Sequence, residues 1–213
     1  MDIDGFRKDY DDNPALERTM LDADPFRQFE RWFNEACASG LHEPNAMSLA
    51  TTDADGRPTL RTVLLKFVDA DGFVFFTNYG SRKARQIEAN SRVALLFPWV
   101  GMARQVAVTG TAEKISTLES ARYFATRPRG SRLGAWISRQ SSVIDSRALL
   151  MRELQKMKDR FRDGEIPLPN FWGGFRVRPD SIEFWQGQPN RLHDRFLYTL
   201  HDGGRWIIER LAP

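Results

Sequence analysis

A chain of 213 residues with 41% hydrophobic and 28% charged residues supplies one core without demanding two, so a single domain over 1–213 is expected, with 1–20 as a mobile leading segment. One cysteine, Cys37, excludes an internal disulfide and points to a reducing, cytoplasmic setting, while the absence of any run near the roughly 18 apolar residues of a membrane span argues against a membrane partner. The net charge of +3, from 31 basic and 28 acidic residues, and the lack of a continuous basic stripe argue against a nucleic-acid binder.

The first predicted element is a helix over 24–39, DPFRQFERWFNEACAS. Asp24 caps it, Pro25 opens it, Phe26, Phe29, Phe33 and Ala36 share a face, and Gly40 follows its end. From 46 to 78 the period becomes two, and two copies of DADG (53–56 and 69–72) break the run into a three-strand antiparallel meander. A short helix capped by Ser81 is expected over 81–90, then strands over 92–99 and 104–115. Ser116 and Glu119 form a capping-box pattern for the next helix, which Pro128 ends. Two more helices follow, over 132–140 and 146–164. Three late strands, with an HDGG hairpin at 201–204, complete the sheet. Many strands with few interrupting helices favour a mainly β, α+β barrel over a doubly wound sheet.

The cations gather in three knots, GSRKAR (80–85), RPRGSR (127–132) and NRLHDR (190–195), each containing or adjoining small residues that let the backbone approach an anion. Ser81, Arg82 and Lys83 open a helix, where free N–H groups and the helix dipole favour a phosphate. Arg61 and Lys66, five apart on one strand, face opposite sides if that strand is regular. Tyr123 and Arg127 share a helix face, and Ser131 stands near the next helix start, which suits a second phosphate. Arg191 and His193 are two apart on an extended segment and share its face, near the flat ring of Trp185. Gln105 and Gln140 offer neutral donors and acceptors for the edge of a heterocycle. Each group taken alone reads at least as readily as ordinary surface or structural residues. No Cys/His spacing suggests a metal site. Together they suit a small-molecule oxidoreductase or transferase with two phosphate-sized sites, with a single-stranded nucleic-acid module as the rival reading.

Six segments in order, RTVLLK, FFTNYGSRKARQIE, RQVAVTGTAEK, YFATRPRGSRLGAWISRQSS, PLPNFWGGFRV and EFWQGQPNRLHDRFLY, closely resemble the pyridoxine/pyridoxamine 5′-phosphate oxidase family. The resemblance implies an FMN-binding split β-barrel and a homodimer with FMN at the subunit interface. It implies FMN contacts from Arg61, Thr62, Val63, Leu64, Leu65, Lys66, Phe76, Thr77, Arg82, Lys83, Gln105, Gln140, Ser141, Trp185 and Arg195. Lys66, Tyr123, Arg127 and Ser131 would hold the substrate phosphate, with Arg191 and His193 at the substrate ring as the catalytic pair. Arg7 and Tyr10 belong to a segment that can close over the substrate. The implied reaction oxidises pyridoxine 5′-phosphate or pyridoxamine 5′-phosphate to pyridoxal 5′-phosphate by transfer of a hydride equivalent from C4′ to flavin N5. O2 reoxidises the flavin and leaves as H2O2, and the amine substrate also releases NH3. Phe76 lacks the hydroxyl of the tyrosine often found there, and 12–20 lacks the arginine cluster some relatives carry, which tells against a second, regulatory product site. A related flavin oxidase acting on a phenazine precursor, or a flavin-binding module without turnover, are the alternatives.

Overall fold

The period-two stretches become nine strands of one continuous sheet, seen in a computed structural model that describes residues 5, 10, 13–137, 140–162 and 164–213. The strands are β1 (Ala46–Thr52), β2 (Pro58–Leu64), β3 (Phe67–Asp69), β4 (Gly72–Asn78), β5 (Arg92–Trp99), β6 (Arg104–Lys114), β7 (Trp172–Gln186), β8 (Asp194–His201) and β9 (Arg205–Leu211). Among the described residues five α-helices accompany them: α1 (Pro25–Ala38), α2 (Arg82–Ala89), α3 (Thr117–Thr126), α4 (Arg129–Ile137) and α5 (Arg147–Arg160).

The order along the sheet is β2-β1-β5-β6-β7-β4-β3, with β8 added to β7 and β9 to β8. This corrects the expected meander. β1 and β2 pair over their full lengths, but β4 pairs with β7 and β3, not with β2. The chain crosses over at two residues: Leu65 N–H still bonds Asn45 C=O at 2.9 Å, and the next N–H, of Lys66, bonds Val74 C=O at 2.8 Å. The sheet thereby curls back on itself, with buried Leu65 turned into the core. Arg61 and Lys66 are consequently not on one regular strand, since β2 ends at Leu64.

β7 divides the sheet. It pairs with β6 along nearly its whole length, while its first half pairs with β4 and its second half, from Ser181, with β8. The register shifts at Thr109/Gly110, and a Cβ on Gly110 would lie 2.1 Å from Arg178 O. Only glycine allows the two strands so close there.

α1 begins as its sequence dictates. Asp24 accepts a hydrogen bond from Phe26 N–H at 2.9 Å, with Pro25 in the first turn. Its apolar face puts Phe29 and Trp32 into the core, Phe29 lying 5.0 Å from Phe73 and 4.9 Å from Phe97 between ring centres. Each such ring contributes about 1.5–3 kcal/mol through burial. A second core, of Phe124, Leu133, Ala135, Ile166 and Trp172, joins α3 and α4 to the start of β7. α3 carries the full capping box of Ser116 and Glu119. α4 starts three residues earlier than expected because Pro128 both stops α3 and accepts the first bond of α4, from Arg132 N–H at 3.1 Å. Its expected extension through 138–139 lies outside the described residues. α5 stops at Arg160, short of Gly164.

Candidate active site

A cavity of about 650 Å³ opens where β2, β4, α2, α3 and α4 converge. β2 lines it with Thr62, Val63 and Leu64, the crossover with Lys66, and β4 with Phe76 and Thr77. Lys83 comes from the first turn of α2, Tyr123 from α3, Arg127 from its C-cap, Ser131 from the first turn of α4, and Gln140 from the chain beyond. Positions scattered over about eighty residues are thus gathered on one cavity, and Lys83 of the first phosphate-sized group opens on the same space as Tyr123, Arg127 and Ser131 of the second.

Ser81 starts α2, its hydroxyl accepting from Ala84 N–H at 3.3 Å. Lys83 is 8% exposed, and its ammonium donates to Thr77 Oγ1 at 3.2 Å and Gln140 Oε1 at 3.0 Å. Thr77 also donates to Gln140 Oε1, at 2.8 Å. Burial, and then the nearby Arg61 guanidinium, push Lys83 down to about 8. Arg61 is itself lowered by burial and by Arg82. Arg61 does not line the cavity; it donates to Leu49 C=O at 2.9 Å and Thr51 Oγ1 at 2.7 Å. No ion pair among the described residues joins a carboxylate to Arg61, Arg82 or Lys83. Cations that depress one another without a counter-charge form a site for an external anion.

The other end of the cavity is aromatic and also cationic. Phe76 stacks on Tyr123 at 4.1 Å and on Trp172 at 5.2 Å, and the Arg127 guanidinium lies 4.6 Å from the Trp172 ring centre. Arg127 is lowered by burial, and its Nη1 is buried with no hydrogen-bond partner among the described residues. A buried guanidinium N–H without an acceptor is costly unless a ligand completes it. Trp172 was missed as a lining residue. Its signal, an aromatic beside the paired glycines of NFWGG, reads in sequence only as packing.

The remaining expected residues lie elsewhere. Leu65 is core, Arg82 is exposed beside a shallow cleft with Arg85, and Ser141 lines an adjoining groove that shares Gln140. Gln105, Trp185 and Arg195 stand opposite one another across β6, β7 and β8, so their side chains share one sheet face. None of them lines the cavity, and neither do Arg191 and His193. The Arg195 fork is engaged by both Glu183 oxygens, at 2.8 and 3.1 Å. The His193 ring lies 4.7 Å from Trp185, and Tyr10 meets both rings edge-on, at 5.9 Å from His193 and 6.2 Å from Trp185. Arg7 falls outside the described residues.

Arg191 and His193 do not share the face of a strand as expected. Pro189–Arg191 form a 3-10 turn and β8 begins only at Asp194. Asn190 and Arg191 both have positive φ, 55° and 61°. For L residues that conformation costs about 1–2 kcal/mol each. The Gln188 N–H bonds His193 Nδ1 at 3.1 Å, which places the neutral ring's proton on Nε2.

Residues 33–161 match the family described as pyridoxamine 5′-phosphate oxidase, and residues 172–213 match the pyridoxine 5′-phosphate oxidase C-terminal dimerisation region. The chain belongs to the pyridoxamine 5′-phosphate oxidase family. It is 60% identical, over the full length of both chains, to the pyridoxine/pyridoxamine 5′-phosphate oxidase of Rippkaea orientalis. Among solved structures it resembles PhzG from Burkholderia lata 383, in complex with tetrahydrophenazine-1-carboxylic acid, with a TM-score of 0.89 and 27% identity over 95% of this chain and 99% of that one. A pyridoxamine 5′-phosphate oxidase-related, FMN binding protein from Nostoc punctiforme PCC 73102 shares the fold, with a TM-score of 0.71 and 19% identity over 91% of this chain and 100% of that one. The family's fold, the split barrel, is the one that the β2–β4 crossover and the division of β7 build here.

Proposed function

We propose that this protein is an FMN-dependent oxidase that converts pyridoxine 5′-phosphate and pyridoxamine 5′-phosphate to pyridoxal 5′-phosphate. The observation that carries the reading is the buried Nη1 of Arg127, unpartnered among the described residues, in a cavity that also holds Lys66, Tyr123 and Ser131. A guanidinium, an ammonium, a phenol and a hydroxyl around one space are donors for a phosphate monoester. The 60% identity to an enzyme named for these substrates supports the same assignment. The family resemblance to PhzG at 27% identity is the weaker guide to substrate, and a phenazine precursor is the second reading.

The residues present fit FMN. Arg82 and Lys83 at the start of α2, where the helix dipole adds to them, and Arg61 on β2 supply uncompensated charge for the FMN phosphate. Thr62, Val63, Leu64, Phe76 and Thr77 would line the flavin, and Gln140 would meet its polar edge. FMN supplies the two-electron acceptor at which the substrate's C4′ is oxidised, with O2 as the final acceptor and H2O2 as product. The protein's own part is to bind and orient. Lys66, Tyr123, Arg127 and Ser131 hold the substrate phosphate. His193, its proton fixed on Nε2 by the Gln188 bond, donates to the substrate ring, and Arg191 adds charge beside it. Arg191 is too basic to act as a general base.

Gln105, Trp185, Arg191, His193 and Arg195 complete the site as part of a homodimer, each cavity receiving them from the partner chain with FMN at the interface. The absence of these residues from the cavity of their own chain and the match of 172–213 to a dimerisation region support this arrangement.

The test is the absorbance spectrum of purified protein, followed anaerobically after addition of pyridoxine 5′-phosphate. Bleaching of the flavin band with release of aldehyde is the expected result. A flavin band that persists would move the substrate to the phenazine class, and failure to bind FMN at all would overturn the cofactor assignment.

A further inference from the structure

We infer that Gln86 is a positioning residue for the phosphate end of the flavin site, acting on Arg61 through the hydroxyls of Thr51 and Thr59. The inference rests on the assignment of Arg61 to the FMN phosphate made above.

Gln86 lies on α2, 5% exposed, facing the barrel. Its Oε1 receives hydrogen bonds from Thr51 Oγ1 and Thr59 Oγ1, both at 2.7 Å. Those same two oxygens face Arg61: Nη1 donates to Thr51 Oγ1 at 2.7 Å, and Nη2 donates to Thr59 Oγ1. Nη1 is also held by Leu49 C=O at 2.9 Å. Thr51 stands directly opposite Thr59, and Leu49 opposite Arg61, in the β1–β2 register, so the frame is two rungs on the same sheet face, with the Ala50–Leu60 rung between them.

The direction of these bonds follows from donor inventory. A guanidinium only donates, so each threonine oxygen that meets Arg61 must accept there. Each hydroxyl has one proton, which must go to another acceptor. Gln86 Oε1, at 2.7 Å from each, is the nearest acceptor for both, against 3.5 Å from Thr59 Oγ1 to Thr51 C=O and 3.3 Å between the two hydroxyls. Its Nε2 is buried with no partner among the described residues, so the oxygen is the end of the amide that ties this side chain to the strands. Without that oxygen the two hydroxyls lose the acceptor that fixes their rotation, and the guanidinium loses the orientation of two of its three bonds. Lys83 and Gln86 are three apart on α2 and so share a face. One helix therefore carries a cation of the clamp and also sets the aim of the cation on β2.

Flavin-free protein titrated with FMN and with riboflavin separates this role from a structural one, because the two ligands differ only in the phosphate. Gln86→Met keeps the length and burial of the side chain and removes the acceptor. It is expected to weaken FMN by about ten-fold, the scale of one net hydrogen bond to a charged group, and to leave riboflavin affinity unchanged. Thr59→Val removes one hydroxyl, should show the same selective loss, and carries the test if Gln86→Met does not fold. Unaltered FMN affinity in the folded variants, or equal loss for both flavins, would overturn the positioning role. Arg61→Ala is the reference: if it retains the full preference for FMN over riboflavin, the assignment of Arg61 to the phosphate fails. If it loses that preference while Gln86→Met keeps it, only the role of Gln86 fails.

Discussion

Lys83 shows how burial without a counter-charge prepares a group for an anion. Its ammonium is held at about 8 against an ordinary 10.5, through desolvation first and Arg61 second. Below pH 8 folded and unfolded chains both carry the proton. Between 8 and 10.5 the unfolded chain keeps a proton that the folded site has released, so this group makes flavin-free protein more stable as pH rises through that window. Bound phosphate favours the charged form, so FMN affinity should fall as pH rises through about 8. Melting temperatures and FMN titrations from pH 7 to about 10, taken as differences between wild type and Lys83→Met, check both slopes. A difference that is flat with pH would remove Lys83 from the phosphate end. The residue was singled out by its place in GSRKAR, but the identity of its partners, Thr77 and Gln140, was not legible, since neither neighbours it in sequence.

At the scale of elements, the helix starts were readable because their chemistry is local. Asp24, Ser81 and Ser116 each cap the helix that follows them. Ser81→Ala should cost about 1 kcal/mol of stability, the usual worth of a cap, and should weaken FMN binding as well, since the same turn presents Lys83. Thermal melts and flavin titration of that variant measure the two effects separately. Gly110 is a different case. A Cβ there would strike the Arg178 carbonyl, so Gly110→Ala should destabilise by about 1–3 kcal/mol, as overpacking does, with a lowered midpoint in denaturant. Its bulge could not be read from the period-two pattern, because alternation says which residues are apolar and not where a register slips; the Gln-Pro-Asn at 188–190 is turn-like in sequence, but the extension of the turn to Arg191 is not legible there. The 3-10 turn is held by Leu192 N–H on Pro189 C=O, at 3.1 Å, and replaces the extended backbone that the run NRLHDR suggested.

For the whole molecule, the two sets of site residues pose the decisive test. If Arg127 of one chain works with Arg191 of its partner, a mixed dimer of Arg127→Ala and Arg191→Ala chains contains one site with both arginines intact. Each homodimeric variant should then be nearly inactive, and the mixed dimer should recover about half of the wild-type turnover, as one of two independent sites would. No recovery would place both residues in a site made by a single chain. What the sequence determined was local: the caps of α1, α2 and α3, the strands β5 and β6, and the two groupings of cations with small residues, GSRKAR and RPRGSR, that place Lys83, Arg127 and Ser131 on the cavity. Short-range hydrogen bonding and side-chain periodicity act over a few residues, so a few residues suffice to read them. What only the tertiary structure decided was partnership: that β4 joins β7 and not β2, that Lys66 sits at the crossover and not on the strand of Arg61, and that Thr51, Thr59 and Gln86 surround that arginine. Strand pairing and the burial of polar groups depend on which segments meet across the core, and a linear pattern of apolar and polar residues is compatible with more than one such meeting.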